Sequence, residues 1–138
     1  MPDLSWKSKY ELGIPMMDEQ HKRLFFLLTQ LRQAVITQQS RNQVSGILQN
    51  LIDQTREHLR TEEELMAAMF FPGLVEHQAA HEKLVTGLHG LEVRFREGDA
   101  SMALLVTTYL GGWLRTHIAV EDRTYGIFWE DMEEDRSA

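Results

Sequence analysis

Apolar side chains recur at steps of three and four over most of this chain, the period of an α-helix that buries one face. The first stripe is His21, Leu24, Leu28, Leu31 and Val35. It predicts a helix from an N-cap at Asp18 to about residue 38. Ser40 followed by Gln43 reads as a capping box. That box opens a second stripe of Val44, Leu48, Leu51, Thr55, His58, Glu62, Leu65 and Met69, stopped by Pro72-Gly73. A third carries Leu74, His77, His81, Leu84, Leu88, Leu91 and Phe95, with Gly98 suited to end it and Asp99 or Ser101 to cap the next helix. The fourth is Val106, Leu110, Trp113, His117, Val120, Thr124 and Ile127. No strand-like alternation, internal repeat or low-complexity tract interrupts the pattern.

Four long helices with short turns predict an all-α fold, an antiparallel up-down-up-down four-helix bundle over residues 18–129. Residues 1–138 are expected to form a single domain. Pro2, Gly13 and Pro15 mark residues 1–17 as a non-helical arm, which Trp6, Tyr10, Leu12 and Ile14 pin to the body. Residues 130–138 hold five acids against Arg136 and read as a solvated, frayed tail. Gly111-Gly112 costs helix propensity and suits a close approach by the arm or a neighbouring helix.

Composition narrows the function. A chain of 138 residues that is 43% hydrophobic can bury one core. A net charge of −7 disfavours a nucleic-acid binder, which needs a basic face. With no cysteine there are no disulfides and no thiolate metal sites. No basic start leads into an apolar run, and no stretch approaches the roughly 18 apolar residues of a membrane span. A cytoplasmic protein without membrane insertion is the expectation.

The histidines change the picture most. A single histidine on an apolar face is usually a hydrogen-bonded core residue. Here His21, His58, His77, His81 and His117, five of six, fall on inward stripes together with Glu62. Burying that many polar groups without partners is costly, whereas imidazole and carboxylate together suit a metal. His58 and Glu62 are four apart, as are His77 and His81, so each pair projects from one helix face. In an alternating bundle all five histidines lie toward the same end. His89 is off the stripe and expected in solvent, Glu63 and Glu64 read as a solvated face, and Met16, Met17, Met66 and Met69 as packing. Periodicity selects Glu121 as the acid beside His117, since Asp122 is about 140° round a regular helix.

The chain resembles the hemerythrin family, and within it the single-domain bacteriohemerythrins. The resemblance rests on Gly13-Ile14 with Asp18-Glu19-Gln20-His21, on His58-x-x-x-Glu62-Glu63-x-Leu65-Met66, on Pro72 ahead of His77-x-x-x-His81, and on Trp113-Leu114-x-x-His117-Ile118-x-x-x-Asp122. It spans Trp6 to about Phe128. The family motif uses the acid five residues after the last histidine, so the resemblance assigns Asp122 over Glu121. It implies two iron ions (Fe2+/Fe3+) with an oxo or hydroxo bridge. His77, His81 and His117 would hold one iron, His21 and His58 the other, and Glu62 and Asp122 both. The second iron keeps an open position, at which the resemblance implies reversible dioxygen binding.

Leu24, Leu59, Leu114 and Ile118 stand beside these residues or one turn away and are the candidates for a dry oxygen pocket. Leu59 departs from the family, where an aromatic often follows this histidine. The implied role is non-enzymatic oxygen storage or delivery to an oxygen-consuming enzyme, by a monomer. Oxygen, redox or iron sensing at the same site is the alternative. A carboxylate-rich di-iron oxidase fits less well, because five histidines face two acids.

Overall fold

The computed structural model describes residues 3–137, with the side chain of Ser137 left aside. Met1, Pro2 and Ala138, at the ends of the expected arm and tail, lie outside the described residues. Helix α1 spans Pro15–Ile36, α2 Arg41–Ala68, α3 Leu74–Arg96, α4 Met102–His117 and α5 Arg123–Ser137. A five-residue π-turn, Ile118–Asp122, joins α4 to α5, so these three pieces form the fourth rod of the bundle. Each rod packs against its chain neighbours, and α1 also packs on α4, closing a four-helix ring. Among the described residues there is no strand, and no helix is long and apolar enough to cross a membrane.

The punctuation is local chemistry. At the head of α2 the Ser40 hydroxyl accepts from Gln43 N–H at 3.2 Å, while the Gln43 side chain accepts from Ser40 N–H at 3.1 Å. Gly98 has φ +118°, a conformation that side-chain-bearing residues rarely adopt, and it ends α3 as expected. Ser101 precedes α4 without a side-chain bond to it, and instead donates to Asp99.

Three expectations need correction. Asp18 does not cap α1, which begins at Pro15 behind Ile14. Proline has its φ preset and lacks the N–H that a first helical residue would leave unpaired. The Asp18 carboxylate reaches back to accept from Leu12 N–H at 2.8 Å and Gly13 N–H at 3.2 Å, clamping the arm to the helix. Nor is the arm wholly non-helical, since Ser8–Tyr10 form a 3-10 turn. The acidic tail is not frayed: α5 continues to Ser137, with its acids in solvent and Met132 turned toward the core.

The arm is pinned as its composition suggested. Leu4, Tyr10, Leu12 and Ile14 are buried, and Tyr10 stacks on Phe25 with ring centroids 5.2 Å apart. A Cβ on Gly111 would stand 2.7 Å from Leu4, so the arm does approach α4 at this glycine. Beneath it the core splits. Leu28, Leu31, Leu48, Leu51, Leu84, Leu88, Val106 and Leu110 fill a largely apolar half, where Glu92 and Thr107 are also buried, and the buried histidines with Glu62 and Asp122 gather in the other.

Candidate metal centre

His21 stands near the start of α1, His58 and Glu62 late in α2, His77 and His81 early in α3, and His117 at the end of α4. Alternating chain direction brings these positions to one level, and all are buried. Asp122 joins them because of the π-turn. In such a turn the backbone hydrogen bonds span five residues, so positions five apart come to the same face. The regular-helix choice, Glu121, is 46% exposed and stands 3.4 Å from Nδ1 of His117. The added residue also shifts the phase of everything after it. Val120 and Ile127, expected inward, are 59% and 52% exposed, while Ile118, Asp122 and Tyr125 are buried.

Two sets of donor atoms result. Glu62, His77, His81, His117 and Asp122 offer atoms that all lie within 4.8 Å of one another, as do His21, His58 and Glu62. Glu62 faces both sets: Oε1 is 3.0 Å from Nε2 of His77 and of His81, and Oε2 is 3.3 Å from His58 and 3.4 Å from His21. Asp122 divides likewise. Its Oδ1 is 2.8 Å from His77 and 3.0 Å from His117, and its Oδ2 is 3.2 Å from His21.

These distances fit a metal. Nε2 of His117 lies 3.0 Å from Nε2 of His77 and 3.2 Å from that of His81. Two donors each about 2.1 Å from one ion and at right angles stand about 3 Å apart. Both ring nitrogens of His21 are buried without a hydrogen-bond partner, a costly state that an ion at Nε2 relieves. The remaining nitrogens are directed from outside. Nδ1 of His58 donates to Gln20 Oε1 at 2.7 Å, and Nδ1 of His81 to Glu63 Oε2 at 2.8 Å, which leaves each Nε2 lone pair free for a metal.

Without metal the cluster is strongly coupled. Burial pushes His21 and His77 down, but Asp122 and Glu62 outweigh it and carry both up to about 9. For His58 burial prevails and its pKa falls. Burial pushes Glu62 and Asp122 up, yet the surrounding imidazoles hold both below the ordinary carboxylate range. Tyr125 donates its hydroxyl to Glu62 Oε2 at 2.8 Å, and burial with the adjacent carboxylates pushes its own pKa well up.

Leu24, Leu59, Leu114 and Ile118 are all buried. Leu59 and His81 also line a cleft of about 400 Å³ between α2 and α3, with Arg56, Arg60 and Glu63 on its rim. Trp113 stacks on His117 with centroids 4.0 Å apart. His89 is exposed as expected, and Glu64 pairs with Arg60 in solvent. Glu63, expected in solvent as well, is only 28% exposed and engages His81. Sequence reasoning missed Gln20, Glu63 and Tyr125. The first two neighbour cluster residues in the chain and so fall off the stripes, and Tyr125 comes after the phase shift.

Comparison with known proteins agrees with this geometry. Residues 12–126 match the hemerythrin HHE cation binding domain. A bacteriohemerythrin of Stenotrophomonas maltophilia is 30% identical over 88% of this chain and 78% of its own. One of Methylococcus capsulatus is 28% identical over 89% of this chain and 94% of its own. A hemerythrin-like protein of Naegleria gruberi is 31% identical, covering 88% and 89%. With most of its length matched and a buried histidine–carboxylate cluster at its heart, the chain belongs to the hemerythrin family, whose domain binds a metal cation.

Proposed function

We propose that this protein binds dioxygen reversibly at a non-haem di-iron centre, without catalysing a reaction. His77, His81 and His117 would hold one iron and His21 and His58 the other, with Glu62 and Asp122 available to both. The observation that carries this reading is the division of both carboxylates between the two histidine sets, Oε1 and Oδ1 toward three histidines, Oε2 and Oδ2 toward two. Neutral imidazoles outnumber acids five to two, unlike the carboxylate-rich sites of di-iron oxidases.

Two ferrous ions supply, when bound, the two electrons that dioxygen takes up and returns. The chain governs what else reaches them. Three histidines would serve the first ion and only two the second, which would leave room for a small molecule on the two-histidine side. Leu24, Leu59, Leu114 and Ile118, buried beside cluster residues in the chain, exclude water and outside protons, which favours release over further reduction. Gln20 and Glu63 fix ring orientation from outside the donor set. The role we assign is storage of oxygen or its delivery to an oxygen-consuming enzyme, by a cytoplasmic monomer.

Ultraviolet–visible spectra with an iron count test the proposal. Reduced, iron-loaded protein is expected to hold two irons, gain a visible charge-transfer band in air and lose it on deoxygenation. Oxidation in one irreversible step, with no deoxygenation-sensitive band, contradicts it.

A further inference from the structure

The two halves of the cluster differ in more than their histidine count. On the three-histidine side, His81 donates from Nδ1 to the Glu63 carboxylate at 2.8 Å, and Glu121 Oε2 lies 3.4 Å from Nδ1 of His117. Two negative charges therefore stand behind two of those three rings. Behind the two-histidine side stands one neutral amide, Gln20, at 2.7 Å from His58 Nδ1, and His21 Nδ1 has no partner. Glu62 repeats the contrast within a single carboxylate. Its Oε2, the oxygen facing His21 and His58, accepts the Tyr125 hydroxyl at 2.8 Å, whereas Oε1 faces His77 and His81 with no such donor.

Each feature acts in the same direction. A carboxylate behind an imidazole raises the basicity of its far nitrogen. A hydroxyl donated to a carboxylate oxygen withdraws density from the side that oxygen faces. Resting on the di-iron reading above, we infer that Glu63 and Tyr125 are positioning residues that make the centre unequal: the three-histidine half takes its metal first and tightly, and the two-histidine half holds the labile, more Lewis-acidic ion. Glu63 strengthens the first half through His81, and Tyr125 weakens the second through Glu62.

The test is anaerobic titration of metal-free protein with ferrous iron against a chromophoric competing chelator, resolving the first and second equivalents. Wild-type protein is expected to fill in two unequal steps. Glu63→Gln still accepts from His81 but lacks the charge, and is expected to weaken the first step. Glu63→Ala, which loses orientation too, weakens it by about 10- to 100-fold. Tyr125→Phe is expected to tighten the second step several-fold, a sign that a merely structural tyrosine would not give. Circular dichroism of each metal-free variant separates these effects from misfolding. Two equal steps in the wild type, or first-step binding unchanged in both Glu63 variants, overturn the inference while leaving the di-iron reading intact. So does a second step weakened in Tyr125→Phe. Wild-type uptake of fewer than two irons overturns both.

Discussion

The bundle has two halves built on opposite principles. One is lined by Leu28, Leu31, Leu48, Leu51, Leu84, Leu88, Val106 and Leu110, all buried, and the buried Glu92 farther along α3 is paired with Arg96 at 2.9 Å. The other buries five histidines and two carboxylates within a few ångströms. The apolar half gains stability from burial and needs nothing else. Left to itself, the polar half bears a desolvation cost for every group and offsets it only through coupling between them. The result is a division of labour: the leucine half holds four helices in register, and the polar half uses that rigidity to keep a donor set preassembled.

The largest effect separating the halves is expected from a cavity in the first. Leu51→Ala should cost about 2–5 kcal/mol in denaturant unfolding, with or without metal. A loss that metal restores completely would mean the halves are not separable. His77→Ala should behave in the opposite way. Metal at 100 times its Kd adds about 2.7 kcal/mol to the wild type, and the variant should lose that increment along with its iron, as seen by calorimetry and iron analysis.

Acidity distinguishes the halves again. In metal-free protein His21 and His77 titrate near 9 rather than 6.5, so their protonation stabilises the fold fully below pH 6.5. That contribution is lost as pH rises from 6.5 through 9. Glu62 and Asp122, held low, give stability that is lost instead as pH falls below the ordinary carboxylate range. Thermal melts across pH should therefore show an alkaline decline in metal-free protein that bound metal abolishes, since it takes the place of the protons. His89→Ala, outside both halves, should change stability by no more than about 0.5 kcal/mol and leave iron content untouched.

The apolar half was nearly all legible in the sequence, because a 3.6-residue period and a capping box are local signals. So were the five inward histidines and Glu62. Legibility failed where the backbone left the regular helix. A period of 3.6 points to Glu121, and only the π-turn at Ile118–Asp122 turns Asp122 inward and moves Val120 and Ile127 out. The family resemblance supplied the residue, and the turn supplies the reason. The roles of Glu63, read as a solvated residue, and Gln20 were hidden for a different cause: their contacts with His81 and His58 cross between helices, and no spacing along one helix encodes them. The acidic tail misled through its charge, since acids every few residues are compatible with a helix whose Met132 packs inward.

At the heart of the molecule, seven side chains from four rods are proposed to hold two irons, with Glu62 and Asp122 available to both. Anomalous diffraction at the iron edge, from crystals of loaded protein, checks that assignment at the atoms themselves. Two peaks are expected, one among His77, His81 and His117 and one beside His21 and His58, with Glu62 and Asp122 between them. A single peak, or peaks that Glu121 rather than Asp122 contacts, would be incompatible with it.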